Sequence, residues 1–248
     1  MSAEEFILRT QALSKSFGGV TALAALDCDV RPGQIIGLLG PNGAGKTTTM
    51  KLLLGMLRPT RGHAEVLGYD VTRDAIEVKR RVGYTPDEPS FYDFLSGRET
   101  LEFVIQVRDS DRESSFARLE PLIDALDFRG ELDRMVGSYS HGNKKKLALL
   151  IALAHAPRLL LLDEPTNGLD PPAAASVRRL LRAEADRGAA VVISTHLLDM
   201  ADRTCDEVLL LNRGALVFRG PPRAARSEAG LTPDASLEEA FLTLVGRR

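Results

Sequence analysis

The chain has 248 residues, enough to bury a substantial core, and its 32 Lys and Arg against 34 Asp and Glu leave a formal net charge of -2. That balance gives no whole-chain attraction to nucleic acid or anionic lipid. The longest apolar runs, such as "LALLIALA" at 147–154, fall well short of the roughly 20 residues a membrane-spanning helix needs.

The first ten residues, "MSAEEFILRT", carry acids where an export signal would carry bases. Residues 5–30 alternate short apolar runs with turn residues such as "FGG" at 17–19. "RPGQIIGLLG" (31–40) then predicts a turn, a buried strand over 34–39 and, beyond a glycine-rich loop, a helix over about 45–57. Strand signals recur in "GHAEVLG" (62–68) and "RVGYTP" (81–86), and helical periodicity in 98–108 and 112–128. "SYSHGNKKKLALL" (138–150) opens a helix that runs to about residue 155, where Pro157 stops it. "RLLLLDEP" (158–165) and "AAVVISTH" (189–196) read as strands buried on both faces, as parallel sheets require, with a helix over about 172–187 between them. "DEVLLLN" and "ALVFRG" finish the core. After Gly220, "PPRAARSEAGLTPDAS" is linker-like and "SLEEAFLTLVG" (236–246) is an amphipathic helix that covers an edge of the core or contacts a second subunit. Cys28 and Cys205, far apart and without metal-ligand spacing, read as small buried hydrophobes of a reducing compartment. Alternating strands and helices predict an α/β sheet with ligands at its strand C-termini.

"GPNGAGKT" comprises Gly40, Pro41, Asn42, Gly43, Ala44, Gly45, Lys46 and Thr47, and matches G-x-x-x-x-G-K-[ST] at every fixed position, between a predicted strand and helix. The backbone N–H groups of such a loop cradle phosphate oxygens, Lys46 reaches the β- and γ-phosphates, and the Thr47 hydroxyl suits Mg²⁺. "LLLLDE" ends a buried strand in two carboxylates, which need a counter-charge or a task. Asp163 fits the second protein partner that such a loop's Mg²⁺ needs, and Glu164 a general base or water-orienting group. A lone histidine is usually structural, but His196 closes the neighbouring strand, within reach of a γ-phosphate or the attacking water. One placement runs against the ordinary preference. Lys144, Lys145 and Lys146 crowd the first turn of a helix whose N-terminus already carries roughly half a positive charge, which predicts an anion nearby.

The order of these motifs over residues 4–220 resembles the ATP-binding subunits of ABC transporters, in particular exporters whose ATPase and membrane subunits are separate chains. The resemblance implies a P-loop NTPase (RecA-like) α/β core with an N-terminal antiparallel β subdomain and a helical subdomain at about 87–155, together spanning 1–220, then a linker and short helix at 221–248. "YSHGN" takes the place of the family signature, so Ser140 and the N–H of Gly142 would bind the γ-phosphate of ATP held by a partner's P-loop. That phosphate would offset the helix's cations, with Lys145 simply solvated. By the same resemblance Phe17 stacks on adenine, Thr48 lies near the α-phosphate, and Asp170 of "NGLD" meets the partner subunit. Two departures stand out. Tyr139, His141 and Asn143 replace the commonest Leu, Gly and Gln of the signature, and Asp87 stands where the family usually has a Gln that contacts Mg²⁺. The implied cofactors are ATP and Mg²⁺. The implied partners are a paralogous or identical ATPase chain and a separate transmembrane permease at the cytoplasmic face of the membrane, docked through 87–137, with no nucleic acid. The implied task is export of a drug, antibiotic or lipid-like compound. A soluble ABC-type ATPase with a non-membrane partner is the alternative; a small-molecule kinase is disfavoured by "YSHGN".

Overall fold

The computed structural model describes residues 6–247, so Glu4 and Glu5, on which the reading of the N-terminus rests, lie outside the described residues. Two long strands, β1 (Leu8–Phe17) and β2 (Val20–Val30), pair antiparallel around the Gly18–Gly19 turn, whose φ values of 52° and 87° suit glycine. Strand β4 (Arg61–Val66) adds to β1, and the short β5 (Tyr69–Asp70) adds to β4, both antiparallel. This is the antiparallel wing of the fold.

The parallel part uses β3 (Ile35–Leu39), β6 (Val82–Thr85), β7 (Leu159–Asp163), β8 (Ala190–Thr195) and β9 (Glu207–Asn212) in the order β9-β3-β8-β7-β6. Every residue of β3, β7 and β8 is buried, which is why these stretches read as unbroken apolar runs. Alternate side chains enter different cores: Ile35 and Leu39 pack on one face, Ile36 and Leu38 on the other. Strand β10 (Ala215–Gly220) runs antiparallel to β9 and joins β2 through one register pair, Ala215 opposite Ala24, so ten strands form one curled mixed sheet.

Helix α1 (Lys46–Leu53) follows β3, and α2 (Ala75–Arg81) precedes β6. Between β6 and β7 lie α3 (Gly97–Val107), α4 (Arg112–Ala125) and α5 (His141–Leu153). Helix α6 (Pro171–Asp186) connects β7 to β8, and α7 (Leu198–Thr204) connects β8 to β9. Side-chain caps begin most of these helices: Ser96 forms a capping box with Glu99, and Asp111, Ser140 and Asp170 each accept a backbone N–H two or three residues into the turn.

The structure corrects the sequence reading in several places. The helix expected over 45–57 stops at Leu53, because Gly55 is left-handed (φ 62°) and a Cβ there would lie 2.3 Å from the Val71 carbonyl. The helix expected to reach 128 stops at Ala125, with Asp127 left-handed at φ 48°. Helices α2 and α7, each of seven residues, were not expected from the periodicity. The linker-like stretch after Gly220 holds a helix, α8 (Pro222–Ala229), with Pro222 in its first turn and left-handed Gly230 closing it. The last helix, α9 (Leu237–Gly246), buries Leu237, Ala240, Phe241 and Leu244 in the same core as α5 and α6, packing on α7, α8 and β10. Cys28 and Cys205 are free and buried, and burial pushes both thiols up to about 12, so neither is reactive.

Candidate functional site

Strand order builds the site. Because β8 lies between β3 and β7, the loop after β3, the acids ending β7 and the hydroxyls ending β8 all arrive at one edge of the sheet. They surround a cleft of ≈ 350 Å³ lined by Phe17, Asn42 to Thr48, Asp87, Asp163 and Glu164.

Two glycines of the loop, Gly40 and Gly45, are dictated by backbone contact. A Cβ on Gly40 would lie 2.2 Å from the Leu211 carbonyl, and one on Gly45 2.4 Å from the Ala22 carbonyl, both at positive φ. The loop therefore wraps tightly onto the positive end of α1, whose first turn carries no acid to neutralise it. Lys46 curls over the loop, its Nζ donating to the carbonyls of Gly40 at 2.7 Å and Pro41 at 3.2 Å. Burial pulls its ammonium below the usual lysine range, opposed by Glu164, Asp163 and Asp87.

Both acids ending β7 are buried and held through two oxygens. Thr47 Oγ1 donates to Asp163 Oδ2 at 3.0 Å, and Ser194 Oγ to Oδ1 at 2.6 Å. Thr195 Oγ1 donates to Glu164 Oε2 at 2.8 Å, while the His196 backbone N–H donates to Oε1 at 2.9 Å and His196 Nδ1 lies 2.7 Å from the same atom. Glu164 adopts a left-handed backbone, φ 48°, uncommon for a residue with a side chain. Ser194 and Thr195 were missed by the sequence reading, although two adjacent hydroxyls in an otherwise apolar buried strand were a signal that something polar lies beside them.

Ser140, Gly142 and Asp170 do not line this cleft. Ser140, exposed, caps α5 by accepting the Asn143 N–H at 3.2 Å, and Asp170, also exposed, caps α6 by accepting the Ala173 N–H at 2.7 Å. Their loops pack on each other: a Cβ on Gly168 would meet His141 Cδ2 at 2.9 Å, and one on Gly142 would meet Leu169 Cδ2 at 3.4 Å. Lys145, expected to be solvated, is buried. Its Nζ donates to Asp87 Oδ1 at 3.0 Å and to the Glu164 carbonyl at 2.6 Å, so the anion facing this lysine belongs to its own chain. Lys144 has Asp93 at 3.7 Å, and because α5 begins at His141, Lys145 and Lys146 lie beyond its first turn rather than in it.

A glycine loop opening a helix, with a buried Asp–Glu pair ending a strand across the same cleft, defines a P-loop nucleoside triphosphatase. A protein-family pattern described as "ABC transporter" matches residues 23–167. The chain belongs to the ABC transporter family, as an ATP-binding ATPase subunit. It is 35% identical over 216 residues to the bacitracin transport ATP-binding protein BcrA of Bacillus licheniformis, covering 87% of this chain and 70% of that one. It is also 35% identical over 223 residues to the daunorubicin/doxorubicin resistance ATP-binding protein DrrA of Streptomyces peucetius, covering 90% and 68%. A solved ATP-binding subunit of an ABC transporter superposes with a TM-score of 0.90 at 30% identity, covering 96% of this chain and 99% of that one.

Proposed function

We propose that this chain powers export of a drug-like, antibiotic or lipid-like compound through a separate transmembrane permease at the cytoplasmic face of the membrane. Two such ATPase chains, identical or paralogous, would close head to tail on two ATP molecules. The observation that carries this reading is the division of the site: the phosphate loop and acids share one cleft, while Ser140 and Gly142 sit outside it on an exposed helix N-terminus suited to an anion from elsewhere. The names of BcrA and DrrA, one a transport and one a resistance protein, support the export class.

In this reading Lys46 and the loop N–H groups hold the β- and γ-phosphates, Thr48 lies near the α-phosphate, and adenine stacks on Phe17, which is 48% exposed at the end of β1. Glu164, aimed by Thr195 and His196, takes a proton from the water that attacks the γ-phosphorus as ADP leaves. His196 and Lys46 stabilise the charge that develops. Thr47, Asp163 and Asp87 give an all-oxygen donor set on the cleft wall, which fits Mg²⁺, an ion that prefers one or two carboxylates together with substrate phosphates. Bound there, the ion would neutralise phosphate charge. Asp170 would meet the second chain.

The permease would dock beside α3, where Tyr92, Phe94 and Phe103 form an exposed aromatic cluster with ring centroids 5.6 and 6.1 Å apart. Among the described residues no helix is long and apolar enough to cross a membrane. The deciding experiment is the solution mass of purified Glu164→Gln, by light scattering, with and without ATP. Dimerisation only with ATP, abolished by Ser140→Arg, is expected. A monomer despite demonstrated ATP binding, even with the permease added, would sink the shared-site reading.

A further inference from the structure

The cleft is negatively charged before any nucleotide enters it. Asp87, Asp163 and Glu164 line it against the single ammonium of Lys46, which feels all three. A triphosphate adds further negative charge. Asp163 and Glu164 are each satisfied by hydroxyl or histidine donors, whereas Asp87, 46% exposed, has one charged partner among the described residues, Lys145 at 3.0 Å. That lysine side chain is 4% exposed. A lysine is almost never buried so far unless it is paired, and this one spends two of its hydrogens on Asp87 and the Glu164 carbonyl.

We propose that Lys145 is a positioning residue of the nucleotide site: it is the built-in counter-charge that lets Asp87 face the nucleotide as half of an ion pair, and it fixes the carbonyl of Glu164 from below. The proposal rests on the nucleotide-site reading above. In it the acid at 87 and the lysine at 145 are a matched pair, 58 positions apart in sequence and 3.0 Å apart in space. Removing the lysine alone leaves a bare carboxylate against the phosphates. Removing both charges restores the balance.

The test is a titration of the intact chain with the fluorescent nucleotide mant-ATP in excess EDTA, so that metal affinity does not enter. Lys145→Gln is expected to weaken binding roughly tenfold, as one uncompensated unit charge near a triphosphate would. Adding Asp87→Asn to it should restore binding to within about twofold of wild type, and Lys145→Arg should bind like wild type. If Lys145→Gln does not fold, Asp87→Asn alone decides, since it stands on a half-exposed wall: binding as tight as wild type or tighter supports the proposal, and weaker binding overturns it. Unchanged binding in Lys145→Gln, or a loss that Asp87→Asn does not rescue, overturns it too and leaves Lys145 with a packing role. A wild-type chain that fails to bind mant-ATP even with Mg²⁺ supplied overturns the site reading itself.

Discussion

His196 meets Glu164 twice at one atom: its backbone N–H and its Nδ1 both converge on Oε1, at 2.9 and 2.7 Å. With Thr195 holding Oε2, the carboxylate has no free rotation, and the left-handed backbone at Glu164 turns it toward the cleft. Glu164→Gln should therefore lower kcat for ATP hydrolysis by roughly 10²- to 10⁴-fold, the usual contribution of a positioned acid–base group, while ATP binding stays within a few-fold. His196→Ala should lower kcat without a matching rise in KM. Phosphate release with parallel binding titrations checks both, and a Glu164→Gln variant that still turns over at the wild-type rate would remove Glu164 from the chemistry.

If each site is shared, two different defects can complement. Lys46→Ala cripples the phosphate loop and Ser140→Arg the helix that faces the partner's phosphate, so each chain alone should be inactive. A mixed pair, however, has one composite site free of both changes. Mixing the purified variants should recover measurable ATPase activity, and none would be recovered if Ser140 acted on its own chain's cleft.

His155 gives a pH dependence that has nothing to do with catalysis. Burial, then the charges of Arg108 and Arg118, lowers its pKa from 6.5 to about 4, and its Nε2 lies 3.1 Å from Arg108 Nη1. Above pH 6.5 the ring is neutral in both folded and unfolded chains. Between 6.5 and 4 only the unfolded chain takes up the proton, so stability falls with pH, and below 4 the loss is complete. The loss amounts to at most about 3 kcal/mol. Thermal unfolding of wild type should therefore fall more steeply over that range than that of His155→Gln; parallel curves would refute the assignment.

Leu237, fully buried on α9, reports whether the C-terminal helix is a structural cover. Leu237→Ala should cost about 3 kcal/mol and lower Tm by roughly 6–12 °C. A change confined to dimer mass, with Tm unmoved, would assign α9 to a subunit contact instead.

What could be read without coordinates depended on how far apart the cooperating residues lie. The phosphate loop is eight consecutive residues with a fixed spacing, and the buried strands announce themselves by unbroken apolar runs, so both were legible. Lys145 was not, because nothing near it in sequence reveals that Asp87, across the fold, is its partner; a cation in a polar turn reads as solvated until a neighbour appears. Helix α8 was hidden by composition. Paired prolines read as linker, yet proline fits a helix's first turn, where its missing N–H would have had no partner anyway. Ser194 and Thr195 needed the register of β8 on β7, which sets Ser194 opposite Asp163.

The sheet's weakest join has a mechanical meaning. The antiparallel wing and the parallel body meet at Ala24 and Ala215, supported by one backbone bond from the Ala24 N–H to the Gly214 carbonyl at 2.8 Å, and the glycines at 45 and 214 press against the Ala22 carbonyl with no side chain between. The cleft straddles this seam, with Phe17 and Ala22 on one bank and the phosphate loop on the other. A nucleotide held by base and phosphates, as proposed above, would touch both plates at once. Beneath the seam, Leu13 and Leu26 of the wing share one buried cluster with Leu38 and Leu209 of the body, so the two plates are joined by apolar packing far more than by backbone hydrogen bonds.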